Sequence, residues 1–157
     1  MDNIFYVKEY IKSNITDSES IELCLAEASK VHGEKQVVFD GKDYHIDRAI
    51  LVDSDTTIVI DNCSVKQNDF VFDNVFRGKN VLIDAINPYM RPLEVTPLCN
   101  IKIIGKNGAL IDGGNYNGLS EKTQRQNGLP PIWKNNLILF TNVDGFEISG
   151  IRCHNQR

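Results

Sequence analysis

From Gln36 onward every apolar run is short and alternating, rich in β-branched and aromatic residues and bounded by Gly, Asn or Asp. That is the signature of strands, whose successive side chains point to opposite faces. Candidate strands begin near Val37, Ile50, Ile58, Phe70, Val81, Ile101, Ala109, Ile138 and Phe146, with no further amphipathic helix among them. A doubly wound α/β fold is thereby excluded, leaving a sandwich, a barrel or a solenoid.

Internal repetition favours the solenoid. Thr57-Ile58-Val59-Ile60-Asp61, Asn100-Ile101-Lys102-Ile103-Ile104-Gly105 and Gly145-Phe146-Glu147-Ile148-Ser149-Gly150 share an apolar-x-apolar centre, and their first apolar residues lie 43 and 45 residues apart. Such units read as stacked repeats, none able to bury its inner face alone. Asp40-Gly41, Asn107-Gly108, Asp112-Gly113 and Asp144-Gly145 are hairpin-type dipeptides, so a sandwich stays in play. Asn80, Asn100, Asn136 and Asn142 each directly precede an apolar run. Asn tolerates a left-handed backbone and bonds to nearby backbone, so these read as bend residues.

One helix is legible before the strands. Thr16-Asp17-Ser18-Glu19 is a capping box, followed by an apolar stripe of Ile21, Cys24, Leu25, Ala28 and Val31 and by Gly33 as a left-handed terminator. The helix is expected from about Asp17 to His32; Ile4 to Ile11 suits a short strand or a helical turn equally. At 157 residues, 41% hydrophobic and 24% charged, the chain has the composition of one globular domain. Seventeen basic against 21 acidic residues give a net charge of −4 without long runs of either sign, which argues against nucleic acid and anionic membranes as partners. The first residues lack a signal-peptide pattern, and no window has the apolar length of a membrane span. Cys24, Cys63, Cys99 and Cys153 are spaced by 39, 36 and 54 residues, which fits no metal or redox motif. They read as four reduced core thiols, mildly favouring the cytoplasm. No metal and no cofactor are expected.

The order of these features resembles the amino-terminal part of pectin-lyase-like right-handed parallel β-helix proteins, including polygalacturonase-type glycoside hydrolases and phage tailspikes. The family's D-D-T/S-x-x-I-x-x-A helix is similar to Asp17 to Ala26, and its G-x-V-x-F-P-x-G-x-Y-x-I run to Lys35 to Ile46, with Asp40 where proline is usual. The I-x-L-x-S-N-x-T-I-x-I run is similar to Ala49 to Ile60. Ile104 to Gly114 echoes I-x-G-x-G-x-I-D-G-x-G, and Leu139 to Ile151 resembles F-x-x-C-x-x-V-x-I-x-G-I/L. The resemblance implies an all-β, right-handed parallel β-helix of about three coils, truncated at its carboxyl end, with an amino-terminal capping α-helix. It implies a single domain, 1–157, with 1–34 as amino-terminal segment and capping helix and 35–157 as coils, interrupted by a long loop at 115–136. It further implies the amino-terminal portion of a carbohydrate-active protein, ending before the catalytic coils, so strong hydrolysis is not expected and the catalytic residues are unknown. The alternative is a non-catalytic binding or structural module, tailspike-like or adhesin-like. An uncapped β-helix end would expose a sheet edge suited to a homo-oligomer.

The loop Asn115 to Asn136 carries one acid, Glu121, against Lys122, Arg125 and Lys134, with the only tryptophan, Trp133. Tyr116, Arg125 and Trp133 are the candidate substrate-binding residues: an aromatic can stack on a sugar while a cation pairs with a uronate carboxylate. The competing reading is a loop in which Trp133 covers the core. Asp112 and Asp144 are the weaker candidates for a hydrolytic carboxylate pair, since both precede Gly and suit turns. Cys153 and His154 would need a third, orienting group to act as a nucleophilic pair. His32 and His45 lack neighbours at metal-ligand spacing.

Overall fold

The structure, a computed structural model, describes residues 3–71, 73–81, 95–114 and 136–155. The chain opens with strand β1 (Ile4–Tyr6) and a 3-10 turn (Val7–Tyr10), so the ambiguous segment is both strand and helical turn. Helix α1 (Asp17–Ala28) begins at the expected capping box: the Glu19 amide donates to Thr16 Oγ1, and Glu19 Oε2 accepts from the Thr16 amide. The helix ends a turn earlier than the sequence suggests. Lys30 and Val31 donate to carbonyls three residues back, and the Ser29 hydroxyl takes the Ala26 carbonyl, so the last turn tightens and stops.

Eleven further strands follow: β2 (Lys35–Phe39), β3 (Tyr44–Ile46), β4 (Ile50–Val52), β5 (Thr56–Asp61), β6 (Ser64–Gln67), β7 (Phe76–Gly78), β8 (Leu98–Lys106), β9 (Leu110–Asp112), β10 (Ile138–Leu139), β11 (Val143–Ser149) and β12 (Arg152–His154). All their pairings are parallel. The first sheet has order β1-β2-β5-β8-β11, the second β3-β6-β9-β12 and the third β4-β7-β10. From β2 onward, successive strands thus enter the three sheets in rotation.

This arrangement corrects the expected fold class, an all-β right-handed parallel β-helix of about three coils. The strands form three separate parallel sheets, and all-β fits only in part, because α1 and the 3-10 turn supply Val7, Ile21, Cys24 and Ala28 to the core. Left-handed residues between strands, among them Asp55, Asn62, Asn107 and Asn142, end each ladder after a few residues and keep the sheets apart. No strand forms at Phe70, and the strand expected from Val81 continues into residues outside the described ones. Phe70 has φ +64° and lies exposed, with β6 ending just before it; the Val81 amide closes a turn on Gly78 at the end of β7.

Packing follows register. Val37, Ile58, Ile103 and Ile148 form one inward column of the first sheet, Tyr44, Val65, Ile111 and Cys153 one of the second, and Ile50, Phe76 and Ile138 one of the third. Phe39 joins the sheets through edge-to-face contacts with Tyr44 and Phe76, ring centroids 5.2 and 6.2 Å apart. Helix α1 packs at the end of the stack near β1–β4. At the other end the columns emerge: Phe146 is 61% and Ile148 42% exposed, although their partners Ile101 and Ile103 are fully buried. Gly105 and Gly150 approach so closely that a Cβ on either would strike the other's carbonyl, which is why both are glycine.

The cysteines divide two and two, correcting the expectation of four core thiols: Cys24 and Cys63 are buried, whereas Cys99 and Cys153 are exposed. Burial pushes the Cys24 thiol up to about 12 and Cys63 up to about 11, and it raises the phenols of Tyr10 and Tyr44. These folded groups hold their protons more tightly than unfolded ones. Their stability contribution is therefore full below the ordinary thiol value of 9.0 and is lost as pH rises toward 11–12. Urea unfolding should show stability falling above about pH 9, less steeply in a Cys24→Ala/Cys63→Ala variant; an identical slope would remove the assignment. Ile103→Ala should cost about 2–5 kcal/mol and the register-equivalent Ile148→Ala under about 1 kcal/mol, because only the first leaves a closed cavity.

Candidate functional site

The candidate substrate residues Tyr116, Arg125 and Trp133 lie outside the described residues. The other sequence candidates are placed, and they do not converge. Asp112 lies on β9 in the second sheet and Asp144 on β11 in the first, so they belong to different faces of the stack. Asp112 Oδ1 accepts from the Gly114 amide and Asn155 Nδ2, both at 2.8 Å, which makes it a bend residue. Cys153 continues the inward column of Ile111, whereas the next residue, His154, is the partner of Asp112 on the opposite face. They form no Cys-His pair. His32 is exposed beyond the helix end.

Bends between the first and second sheets form a polar depression of about 640 Å³ around Asp40, Lys42, Asp43, Asp61, Asn62 and Asn107. Its charged groups are each paired with a neighbour, although Asp40 Oδ1 is buried without a partner among the described residues. Lys8 pairs with Asp40 at 2.7 Å and Lys42 with Asp17 at 2.6 Å; Asp43 accepts from the Ser64 amide, and Asp61 from Asn107 Nδ2 at 2.7 Å. The hydrogen bond that the Lys8 ammonium donates to Asp40 holds it above the usual lysine range. Asn100 donates likewise to Asp55, and Asn155 to Asp112. Three times, then, a left-handed Asn ties back to an Asp of an adjacent strand's bend, and this is a device of structure.

A second polar cluster was illegible in the sequence. Arg77 is 8% exposed and donates from Nη1 to Asp73 at 2.7 Å and to Asn74 at 3.4 Å; Gln67 Nε2 caps the Asp73 and Asn74 carbonyls, and Asn74 reaches the Asn136 carbonyl. An Arg between Phe76 and Gly78 gives no sign of burial. The cluster clamps the approach to β7 and leaves no acid or base free.

The outward face of the second sheet is different. His45, Lys66, Asp112 and His154 stand in one register column, flanked on the same face by Ser64, Leu110 and Arg152. His45 lies between buried Tyr44 and Ile46, and Lys66 between buried Val65 and Gln67, which fixes both outward. Among the described residues neither His45, Lys66, Arg152 nor His154 takes part in an ion pair. Adjacent strands are about 4.8 Å apart, so the column presents a polar group at each strand spacing. Sequence reading missed it because its members are 21, 46 and 42 residues apart. Among the described residues no group of three or more His, Cys, Asp or Glu could hold a metal, and no helix is long and apolar enough to cross a membrane. Comparisons with family models, with curated proteins and with solved structures found no match.

The Asn bends yield a graded expectation. Asn107→Gly keeps the left-handed backbone and loses only the bond to Asp61, whereas Asn107→Ala loses both. Denaturant unfolding should show the alanine variant destabilised by about 1–2 kcal/mol and the glycine variant by less; the reverse order would sink the assignment.

Proposed function

We propose that this chain is a polysaccharide-binding part of a carbohydrate-active protein, and that an acidic glycan lies along the outward face of the second sheet. The observation that carries this reading is the column His45, Lys66, Asp112 and His154 with Arg152 beside it. An extended polymer repeats its hydroxyl and carboxylate groups along its length, and a column of strand-spaced side chains offers it equivalent partners along one line. Two permanent cations and two imidazoles against a single carboxylate, on a chain of net charge −4, favour an acidic polymer over a neutral one. The motif order shared with polygalacturonase-type proteins supports the same substrate class. Hydrolysis is not assigned to any described residue.

A second reading, a structural module that self-associates through its last strands, is favoured by Phe146 and Ile148, apolar side chains left 61% and 42% exposed on β11, which pairs on one side only among the described residues.

Gel retention in polygalacturonate, neutral dextran and duplex DNA tests the first reading. Retention by polygalacturonate alone is expected, weakened by salt and reduced roughly threefold by each of Lys66→Gln and Arg152→Gln. Equal retention by DNA would reduce the face to generic polyanion binding, and unchanged retention in the double variant would overturn the proposal. For the second reading, sedimentation should show dimers that Phe146→Ser/Ile148→Ser dissociates; a monomer at all concentrations would exclude it.

A further inference from the structure

Beyond its core stripe, α1 with its C-terminal capping residue Ser29 carries a second face on which Glu22, Leu25, Ala26 and Ser29 recur at i, i+3, i+4 and i+7. That face forms one wall of a cleft of about 310 Å³, with Ala49 and Leu51 lining it from in and around β4. The size lies at the lower end of small-molecule sites, which run roughly 300–1,000 Å³. Small side chains leave the space open: Ala26, Ala28 and Ala49 line it where larger residues would close it. Leu51 is 38% exposed between buried Ile50 and Val52, so its side chain supplies apolar surface to the cleft without belonging to the core.

The rim decides what charge such a ligand carries. Glu22 is engaged by Arg48 through Nε at 2.6 Å and Nη2 at 2.8 Å, and Asp53 accepts from Lys79 at 3.2 Å. The last helix carbonyls are also occupied: Leu25 by the Ser29 amide, Ala26 by the Ser29 hydroxyl, Glu27 by Lys30 and Ala28 by Val31. Among the described residues Lys35 Nζ, in contrast, meets only the Gly33 carbonyl, at 3.3 Å. The uncommitted charge on the rim is therefore positive, above an apolar floor.

We propose that this cleft binds a small organic anion, its compact apolar body against Leu25, Ala26 and Leu51 and its single carboxylate or sulfonate on Lys35. The site is independent of the glycan face, since it shares no residue with it. Anilinonaphthalene sulfonate, an apolar ring system with one anionic group, serves as the probe, titrated by fluorescence and displaced by benzoate or by benzyl alcohol. Ala26→Phe fills the cleft from an exposed helix position, Lys35→Gln removes the cation, and Phe146→Ser alters a separate exposed apolar surface; circular dichroism checks that each variant folds. Single-site binding is expected, abolished by Ala26→Phe, weakened roughly tenfold by Lys35→Gln, unchanged by Phe146→Ser, and displaced by benzoate far better than by benzyl alcohol. The proposal is overturned if the dye fails to bind, if folded Ala26→Phe binds it as before, if Phe146→Ser abolishes binding, or if the alcohol displaces it as well as the acid.

Discussion

Parallel pairing in strict register aligns Val37, Ile58, Ile103 and Ile148, and the burial of each depends on the strand stacked beyond it. A slip of one residue would turn the whole apolar set of a strand outward, so something has to hold the phase between strands that are 21 or 45 residues apart in sequence. The bends do this. Asn107 on Asp61 and Asn155 on Asp112 tie the end of one strand to the end of its ladder neighbour, and Asn100 within β8 ties to Asp55 just before β5, each Asn in the left-handed region. The loops between strands can then differ greatly in length, because the closure entropy of a longer loop grows only slowly.

The parts of this architecture that are written locally were legible. The capping box at Thr16 and Glu19 and the stripe of Ile21, Cys24 and Ala28 depend on neighbours within a few residues, and they appear as read. The repeat was legible to within two residues. Matching first apolar residues aligns Ile58 with Ile101, whereas the ladder pairs Ile58 with Ile103. The error preserves the face, since strand side chains alternate with period two, but it misplaces the partner. Three-residue strands such as β3 and β12 are too short for alternation to register. The division into three sheets is not legible, because an Asn that bends the chain between sheets, such as Asn107, looks the same in sequence as one inside a strand, such as Asn100 in β8. Cys99 and Cys153 have apolar neighbours in sequence and yet are exposed, so local apolarity does not report which strands are covered.

Function was less legible for a related reason. Sequence inspection favours residues that are close together, such as Cys153 with His154, or chemically conspicuous, such as Trp133. Adjacent residues on a strand face opposite ways, so the first pair is separated by the sheet itself. The column of His45, Lys66, Asp112 and His154 is assembled only by register, across loops of unequal length, and no fixed sequence interval reveals it.

In such a stack the inward positions are spoken for. Each inward side chain must match the volume of its neighbours, and Gly105 and Gly150 show how little latitude remains where two backbones meet. Outward positions carry no such constraint, because exchanging one polar residue for another leaves register and core unchanged. Recognition chemistry is therefore free to vary on the outward sheet faces and on the second face of α1, while the columns and Asn bends hold those surfaces in place. The charge of the two surfaces fits this division: the second sheet exposes His45, Lys66, Arg152 and His154, and among the described residues Lys35 in the α1 cleft has no acidic partner, although acids outnumber bases in the chain as a whole. Most acids near bends are already accepting from an Asn, an amide or a lysine, so the negative charge is spent on architecture and the uncommitted charge on these two surfaces is cationic.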